Sequence, residues 1–428
     1  MIEVANHNVA APAFAGVTDR PSLAIVKDCT SSSRPSLCKG LPLTLRSAAK
    51  SIGTALLWIV ILLCLALTIV PRFLDARYYR GAAGGHFDGQ RFYNPDGEQD
   101  EMAGNRAGFL WRYLTGSDGR PKWPDHVAIH PVAPPQHVAG QAMVATWVGH
   151  ATVLVQTQGL NILTDPVWSK TAGPLGIGPA RVVKPGIAFG KLPKIDVVLI
   201  SHDHYDHLDL ATLKRLWTRD HPLIVTSLGN DSVIRQAGVP SHALDWGGRI
   251  AVKPGVDVIV TRNHHWGSRW FADRNRALWS AFVVRLAGGN VFFAGDTGPG
   301  DLTWANAAAS YGPVRLALLP IGAFRFAPGQ MVSGSHIGPI DAAEVYRRLG
   351  ASTGIGIHWG TFHLSSEAYD TPPRLLAGVT RAAGVLGFGT VPLGEPRVIA
   401  PYVGRVPVAP IDRIEIVERL PAAVRTLP

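Results

Sequence analysis

Beyond residue 64 the 428-residue chain contains no cysteine; Cys29, Cys38 and Cys64 are the full set. This absence excludes a disulfide framework, a thiolate metal ligand and a cysteine nucleophile from most of the molecule. Charge is also sparse, at 17% Asp, Glu, Lys and Arg, and its balance is basic, with a formal net charge of +10 at pH 7. No long Lys/Arg run occurs in the body of the chain, so nucleic acid is not expected as a partner. A basic balance favours anionic partners such as phospholipid headgroups or phosphate esters. No internal repeat is visible. What the chain does have is 46% hydrophobic residues, 46 glycines and 33 prolines, a composition that buries a core and builds its site from loops.

One uncharged run stands near the start, Ile52 to Val70. As a helix it is about 28 Å long, close to the roughly 30 Å hydrocarbon thickness of a bilayer. It exceeds a signal-peptide apolar region and lacks a small-residue cleavage site directly after it, so the expectation is an uncleaved single-pass anchor. Lys39, Arg46 and Lys50 before it balance Arg72, Arg77 and Arg80 after it. A tail rich in Ser, Pro and positive charge favours an inside N-terminus, with the body on the outer, periplasmic face. The expected organisation is a disordered tail over 1–51, the anchor over 52–70, and a linker and lead-in wrapping the domain over 71–140, with one short helix near Phe109 to Leu114. A catalytic domain over 141–405 and a C-terminal extension over 406–428 complete it.

From about residue 141 apolar runs alternate with helical stretches, which predicts an α/β layered fold with buried strands. What ends those strands is informative. KIDVVLISH stops at His202, VDVIVTRNHH at His264 and His265, NVFFAGD at Asp296, and STGIGIHWG at His358. The first of these opens SHDHYDHLD, in which His202 and His204 can turn to one point and Asp206 and His207 to a second. Imidazole nitrogens and carboxylate oxygens suit zinc, and iron or manganese as well. One such cluster supplies about half the ligands of a two-metal site, and His265, Asp296 and His358 are available for the rest. Spacing alone does not choose between His264 and His265, whose side chains oppose each other in an extended segment.

These segments resemble the metallo-β-lactamase superfamily and, within it, the N-acylphosphatidylethanolamine-hydrolysing phospholipases D. The resemblance rests on TWVGHATVLV, LTDPVWS, GPARVVKP, LPKIDVVLISHDHYDHLD, HHWGSRW, FFAGDTG, LLPIGAF, HIGPIDAAE and IHWGTFHLSSEAYDTPP, from about 146 to 373. It implies an αββα four-layer sandwich holding two zinc ions, one on His202, His204 and His265 and the other on Asp206, His207 and His358, bridged by Asp296. The HWGSR context favours His265 over His264. Asp206 and Asp296 become the candidate catalytic carboxylates, and His336 a candidate substrate contact. His150 lies near the site in this pattern, as a substrate contact or as a loop brace. The sequence departs from the family after IGA, where Phe324, Arg325, Phe326, Ala327, Pro328 and Gly329 replace the usual run. Phe324, Phe326 and Met331 are candidates for an acyl channel, with a packed loop core as the alternative. The implied activity is zinc-dependent phosphodiester hydrolysis of N-acylphosphatidylethanolamine-like lipids to phosphatidic acid and an N-acylethanolamine, at a membrane. A non-lipid ester, lactone or phosphodiester substrate and a non-catalytic metal-binding envelope protein are the competing expectations. Nothing in the pattern decides the oligomeric state, a homodimer included.

Overall fold

The computed structural model describes residues 43–97, 104–270, 272–328, 330–331, 333–404 and 408–428. The chain divides into two units, Met1–Leu63 and Cys64–Pro428. Of the tail expected over residues 1–51, residues 1–42 lie outside the described residues, and residues 43–51 are helical instead. A helix, α1, runs from Leu43 to Leu74 and carries Pro71 in its last turn. It begins nine residues before the expected anchor because Leu, Arg, Ala and Lys in LTLRSAAK are good helix formers that carry the helix past the apolar run. Its stretch Ser47–Leu74 is long and apolar enough to cross a membrane, and none of it is buried.

In the second unit, strand alternation builds the layers. The first sheet comprises β1 (Met143–Gly149), β2 (Thr152–Thr157), β3 (Leu160–Thr164), β4 (Val197–Ile200), β5 (Leu223–Ser227) and β6 (His242–Leu244). The second comprises β7 (Arg249–Lys253), β8 (Val256–Thr261), β9 (Ala281–Arg285), β10 (Asn290–Phe293), β11 (Val314–Pro320), β12 (Thr353–Ile357) and β13 (Phe388–Gly389). A last strand, β14 (Pro396–Val398), returns to the first sheet beside β1. The strand orders are β14-β1-β2-β3-β4-β5-β6 and β13-β12-β11-β10-β9-β8-β7, and both sheets mix parallel and antiparallel pairs.

Successive strand side chains point to opposite faces. Val197 and Leu199 of β4 therefore meet Val291 and Phe293 of β10 and Leu316 and Leu318 of β11 in a core between the sheets. Their neighbours Val198 and Ile200 point outward and pack with Leu213 and Leu216 of helix α3 (Leu210–Asp220). Phe292, Ala317 and Leu319 pack outward on the other side against the helices Thr303–Ala309, Pro339–Leu349 and Thr371–Ala383. Two mixed sheets lie face to face with helices outside each, the expected four-layer αββα arrangement. The helix expected near Phe109, α2, spans Arg106–Thr115, started by the Asn105 side chain on the Gly108 N–H and stopped by Gly116.

Both ends of the sequence around this sandwich are tied to it. Asp75, the first residue after α1, takes a bidentate pair of bonds from Arg276 at 2.7 and 2.7 Å, and Arg91 Nη2 reaches both its oxygens at 3.0 and 2.9 Å. Phe87 and Phe92 of the lead-in are buried against Leu278 and Trp279. At the C-terminus, a helix over Arg413–Arg419 and the turn after it bury Ile416, Leu420 and Leu427 in the outer core of the second sheet.

Candidate metal centre

The site forms where strands end. β4 leads through Ser201 into the loop His202–His207, which α3 then closes with Asp209 as its N-cap. β8, β10 and β12 deliver His265, Asp296 and His358 from the second sheet, and the turn between β1 and β2 adds His150. The loops are tight: His150, Asp165, Ala323 and His358 all hold positive φ, at 54°, 28°, 54° and 63°. Non-glycine residues in that region cost about 1 to 2 kcal/mol each, a cost concentrated here around one cavity. Gly295 sits so close to Ser201 that a Cβ would come within 2.5 Å of the Ser201 Cβ, so the strand end before Asp296 needs glycine.

The geometry brings the predicted ligands together. Asp296 Oδ2 lies 3.1 Å from His207 Nε2, 3.0 Å from His358 Nε2, 3.8 Å from His336 Nε2 and 4.0 Å from His265 Nε2. Asp206 Oδ2 lies 2.9 Å from His150 Nε2, 3.4 Å from His207 Nε2 and 3.6 Å from His358 Nε2. His202 Nε2 and His204 Nδ1 are 2.7 Å apart. Two sets of four donor atoms converge, one from His202, His204, His265 and Asp296 and one from His150, Asp206, His207 and His358, each within 4.8 Å of one another. The second set includes His150, expected only as a substrate contact or a loop brace; its Nε2 faces Asp206, while Trp147 Nε1 bonds its carbonyl.

Four of the inward-facing rings are oriented from behind, as metal-binding histidines usually are. His207 Nδ1 meets Asp165 Oδ2 at 2.7 Å, His202 Nδ1 meets Ser201 Oγ at 2.9 Å, His265 Nδ1 donates to Ser335 O at 2.9 Å, and His358 Nδ1 donates to Gly322 O at 3.2 Å. Asp165 also accepts from the Ser201 N–H and hydroxyl. It is a functional residue the motif reading passed over, although TDP ends an apolar strand just as AGD does.

The donor set fits metal ions. His204 Nε2, His265 Nε2 and Asp296 Oδ1 are buried without a hydrogen-bond partner. A buried polar atom left without a partner costs roughly 1 to 3 kcal/mol, and a cation among these donors would answer several at once. Burial pushes His150, His204 and His336 down to about 3 and holds His202 and His265 well below the ordinary imidazole range. Burial also opposes a charge on His358, but Asp296 and Asp206 outweigh it and raise that ring to about 9; His207 is raised too. Burial alone would raise Asp206 and Asp296, yet the surrounding imidazoles hold both well below the usual carboxylate range. Both carboxylates are thus ionised acceptors, the state in which they bind metal.

A cavity of about 350 Å³ opens over this cluster, lined on one side by Ala172, Pro174, Ile177 and Pro179 and on the other by Phe326, Met331 and His336. His204, Asp206 and Asp296 form its floor, and Trp266 and Arg269 a further wall. Phe326 stands 5.4 Å from the His336 ring. Phe324 is not brought to this mouth. Its ring fills the space beside Gly338, which has no side chain, and it lines a neighbouring cavity with Pro339, Ile340 and Leu375, which meets the first at His336. His264 turns away from the centre to Asp96, 3.0 Å from its Nδ1, which separates it from His265. Gly329 lies outside the described residues.

This fold and this donor set define a metal-dependent hydrolase. Residues 160–359 match the Beta-lactamase superfamily domain. An N-acyl-phosphatidylethanolamine-hydrolyzing phospholipase D of Caenorhabditis elegans is 34% identical over 258 residues, 58% of this chain and 72% of that protein. An uncharacterized protein of Mycobacterium tuberculosis is 34% identical over 62% of this chain and 74% of its own length. A mitochondrial N-acyl-phosphatidylethanolamine-hydrolyzing phospholipase D of Saccharomyces cerevisiae is 32% identical over 54% of this chain and 50% of that protein. The chain belongs to the metallo-β-lactamase superfamily.

Proposed function

We propose that the protein is a binuclear zinc phosphodiesterase of the phospholipase D type, anchored by α1, that cleaves N-acylphosphatidylethanolamine-like lipids. The observation that carries this reading is the pairing of two converging donor sets with a cavity whose walls are mostly apolar. Relatives named for that activity, at 34% and 32% identity, support it. His202, His204 and His265 would hold one ion and Asp206, His207 and His358 the other, with Asp296 between them. When bound, the ions supply water with a pKa lowered to about 7 and neutralise charge growing on phosphoryl oxygens.

The chain's own residues do the rest. Asp206, braced by His150, orients the attacking oxygen, and Asp165 keeps the His207 ring turned to the centre. His336, neutral because it is buried, carries an unpartnered Nδ1 at the cavity wall, suited to a substrate oxygen. Ala172, Ile177, Phe326 and Met331 exclude water and receive acyl chain. An oxygen–phosphorus bond forms, the phosphorus–oxygen bond to the N-acylethanolamine breaks, and the proton from water leaves on that alcohol. A lipid substrate of this kind stays in the bilayer, where an anchored enzyme meets it.

The test is product analysis with the full-length, zinc-loaded protein on N-acylphosphatidylethanolamine, phosphatidylcholine and a soluble phosphodiester. Zinc-dependent release of phosphatidic acid is the expected result. Turnover confined to the soluble ester would overturn the lipid reading.

A further inference from the structure

A second and larger cavity, of about 920 Å³, lies on the far side of the loop that lines the metal-site mouth. Its lining includes four cationic residues, Lys170, Arg181, Lys184 and Arg215, and no carboxylate. The Arg181 guanidinium is turned to the Val167 and Ser169 carbonyls and the Phe362 ring, which leaves Lys170, Lys184 and Arg215 to meet a ligand. Among the described residues none of the four has an ion-pair partner. Asp209 acts on Arg181 only at a distance, its oxygens being occupied by the Trp168 and Ser169 N–H groups and the Thr212 hydroxyl. Like charges drawn together without counter-charge repel weakly across water, so an anion that joins this wall is drawn to it.

The remaining lining is not that of a bare surface groove. Trp168 and Phe189 present ring faces that meet at 87°, and Arg215 stacks on Phe189 with its guanidinium carbon 3.7 Å from the ring centre. Ile129, Val183 and Pro185 add apolar area. Stacking of this kind holds a guanidinium in a fixed plane, which suits bidentate contact to phosphate. The volume falls in the range of small-molecule sites, about 300 to 1,000 Å³.

We propose that this cavity is a second ligand site, built for a phosphate-bearing ligand whose apolar part rests on Trp168 and Phe189. It shares a structural element with the metal site but none of its candidate ligands. Thr171 and Ala180 pair as an antiparallel bridge, with Ala172 N–H donating to Pro179 O at 3.0 Å and Arg181 N–H to Lys170 O at 2.9 Å. The loop between these stems, from Ala172 to Pro179, lines the metal-site mouth, while the stems themselves line the basic cavity. A ligand at the stems therefore braces the loop at the mouth.

The test uses the full-length protein in micelles of a non-ionic detergent, titrated with inorganic phosphate, with dihexanoyl phosphatidic acid, and with dihexanoyl phosphatidylcholine as the control for micelle partition. Binding is followed by calorimetry and by amide hydrogen exchange. Expected is saturable binding of an anionic probe beyond the zwitterionic control, with exchange protection at 168–171 and 180–189. Lys184→Glu with Arg215→Glu should weaken it at least tenfold, and Arg215→Gln alone severalfold, which keeps the test open if the double variant fails to fold. Tighter binding of phosphatidate than of phosphate assigns a lipid headgroup with its chains; equal binding of the two would overturn the apolar seat on Trp168 and Phe189 and leave a free-anion site. Affinity unchanged in these variants, protection confined to 172–179 and 323–336, or no binding beyond the control would each overturn the proposal.

Discussion

The two cavities on either side of the Ala172–Pro179 loop are built on opposite principles. The metal centre is made of donors that are almost wholly buried: His202, His207, His265, His358 and Asp296 are each about 1% exposed or less. Their acceptor atoms crowd within 3 to 4 Å of one another, and they come from both sheets. The basic cavity has the reverse character, with Lys170, Lys184 and Arg215 exposed and the rigid parts apolar. A buried donor set has to be complete to be tolerated, because every unanswered atom carries a desolvation cost. An exposed cation set is tolerated empty, since water and salt screen it. The first should respond steeply to single changes and the second gradually.

The largest effect is expected at Asp296. Asp296→Ala should lower turnover of any accepted phosphodiester by about 1000-fold, the upper range for one electrostatic contact in a dry site, and reduce bound metal measured by atomic emission. A zinc-loaded, fully active Asp296→Ala protein would break the comparison at its root. Asp165→Asn should come next, with metal affinity about 10- to 100-fold weaker, the usual loss when the group behind a ligand is changed. Competition with a chromophoric chelator reads that directly.

A control outside both cavities follows. Asp75→Asn removes the negative charge and one of the two acceptor oxygens that Arg276 and Arg91 share, and should cost about 1 to 3 kcal/mol in denaturant unfolding. Bonds from Arg276, then the charge of Arg91, hold the Asp75 carboxyl below the usual carboxylate range, although burial opposes them. Its contribution is therefore fully present above about pH 4, the ordinary carboxylate value, and fades as pH falls through the depressed folded value. Asp75→Asn should flatten that acid limb of the stability profile, and an identical limb would disprove the assignment. The smallest effect is expected from Lys184→Glu with Arg215→Glu, which should change stability by less than about 0.5 kcal/mol and leave metal content intact. A loss of metal there would mean that the two cavities are not separable.

The legible part of this molecule is the part where chemistry and periodicity coincide. Apolar runs that stop at His202, Asp296 and His358 announce both a buried strand and the residue it delivers. The layering of Val197 to Ile200 follows from simple alternation. Alternation alone does not tell His265 from His264; the HWGSR context favours His265, and the backbone adds the reason, since His264 turns to Asp96, a partner remote in sequence. The membership of His150 in a donor set is hidden for a similar reason: it depends on a left-handed turn at one strand pair meeting Asp206 from another. Phe324 and Phe326 look equivalent in the sequence, yet Gly338 gives one of them a place to pack away from the mouth. The extent of α1 is blurred because helix propensity in LTLRSAAK continues past the apolar boundary.

The bridge between Thr171 and Ala180 gives the two cavities a common hinge line. Thermodynamic linkage makes any traffic across it reciprocal. If an anion at the stems alters affinity at the mouth by some factor, a substrate in the mouth alters the anion's affinity by that same factor. One titration performed in both directions therefore measures the coupling twice, and the two answers have to agree.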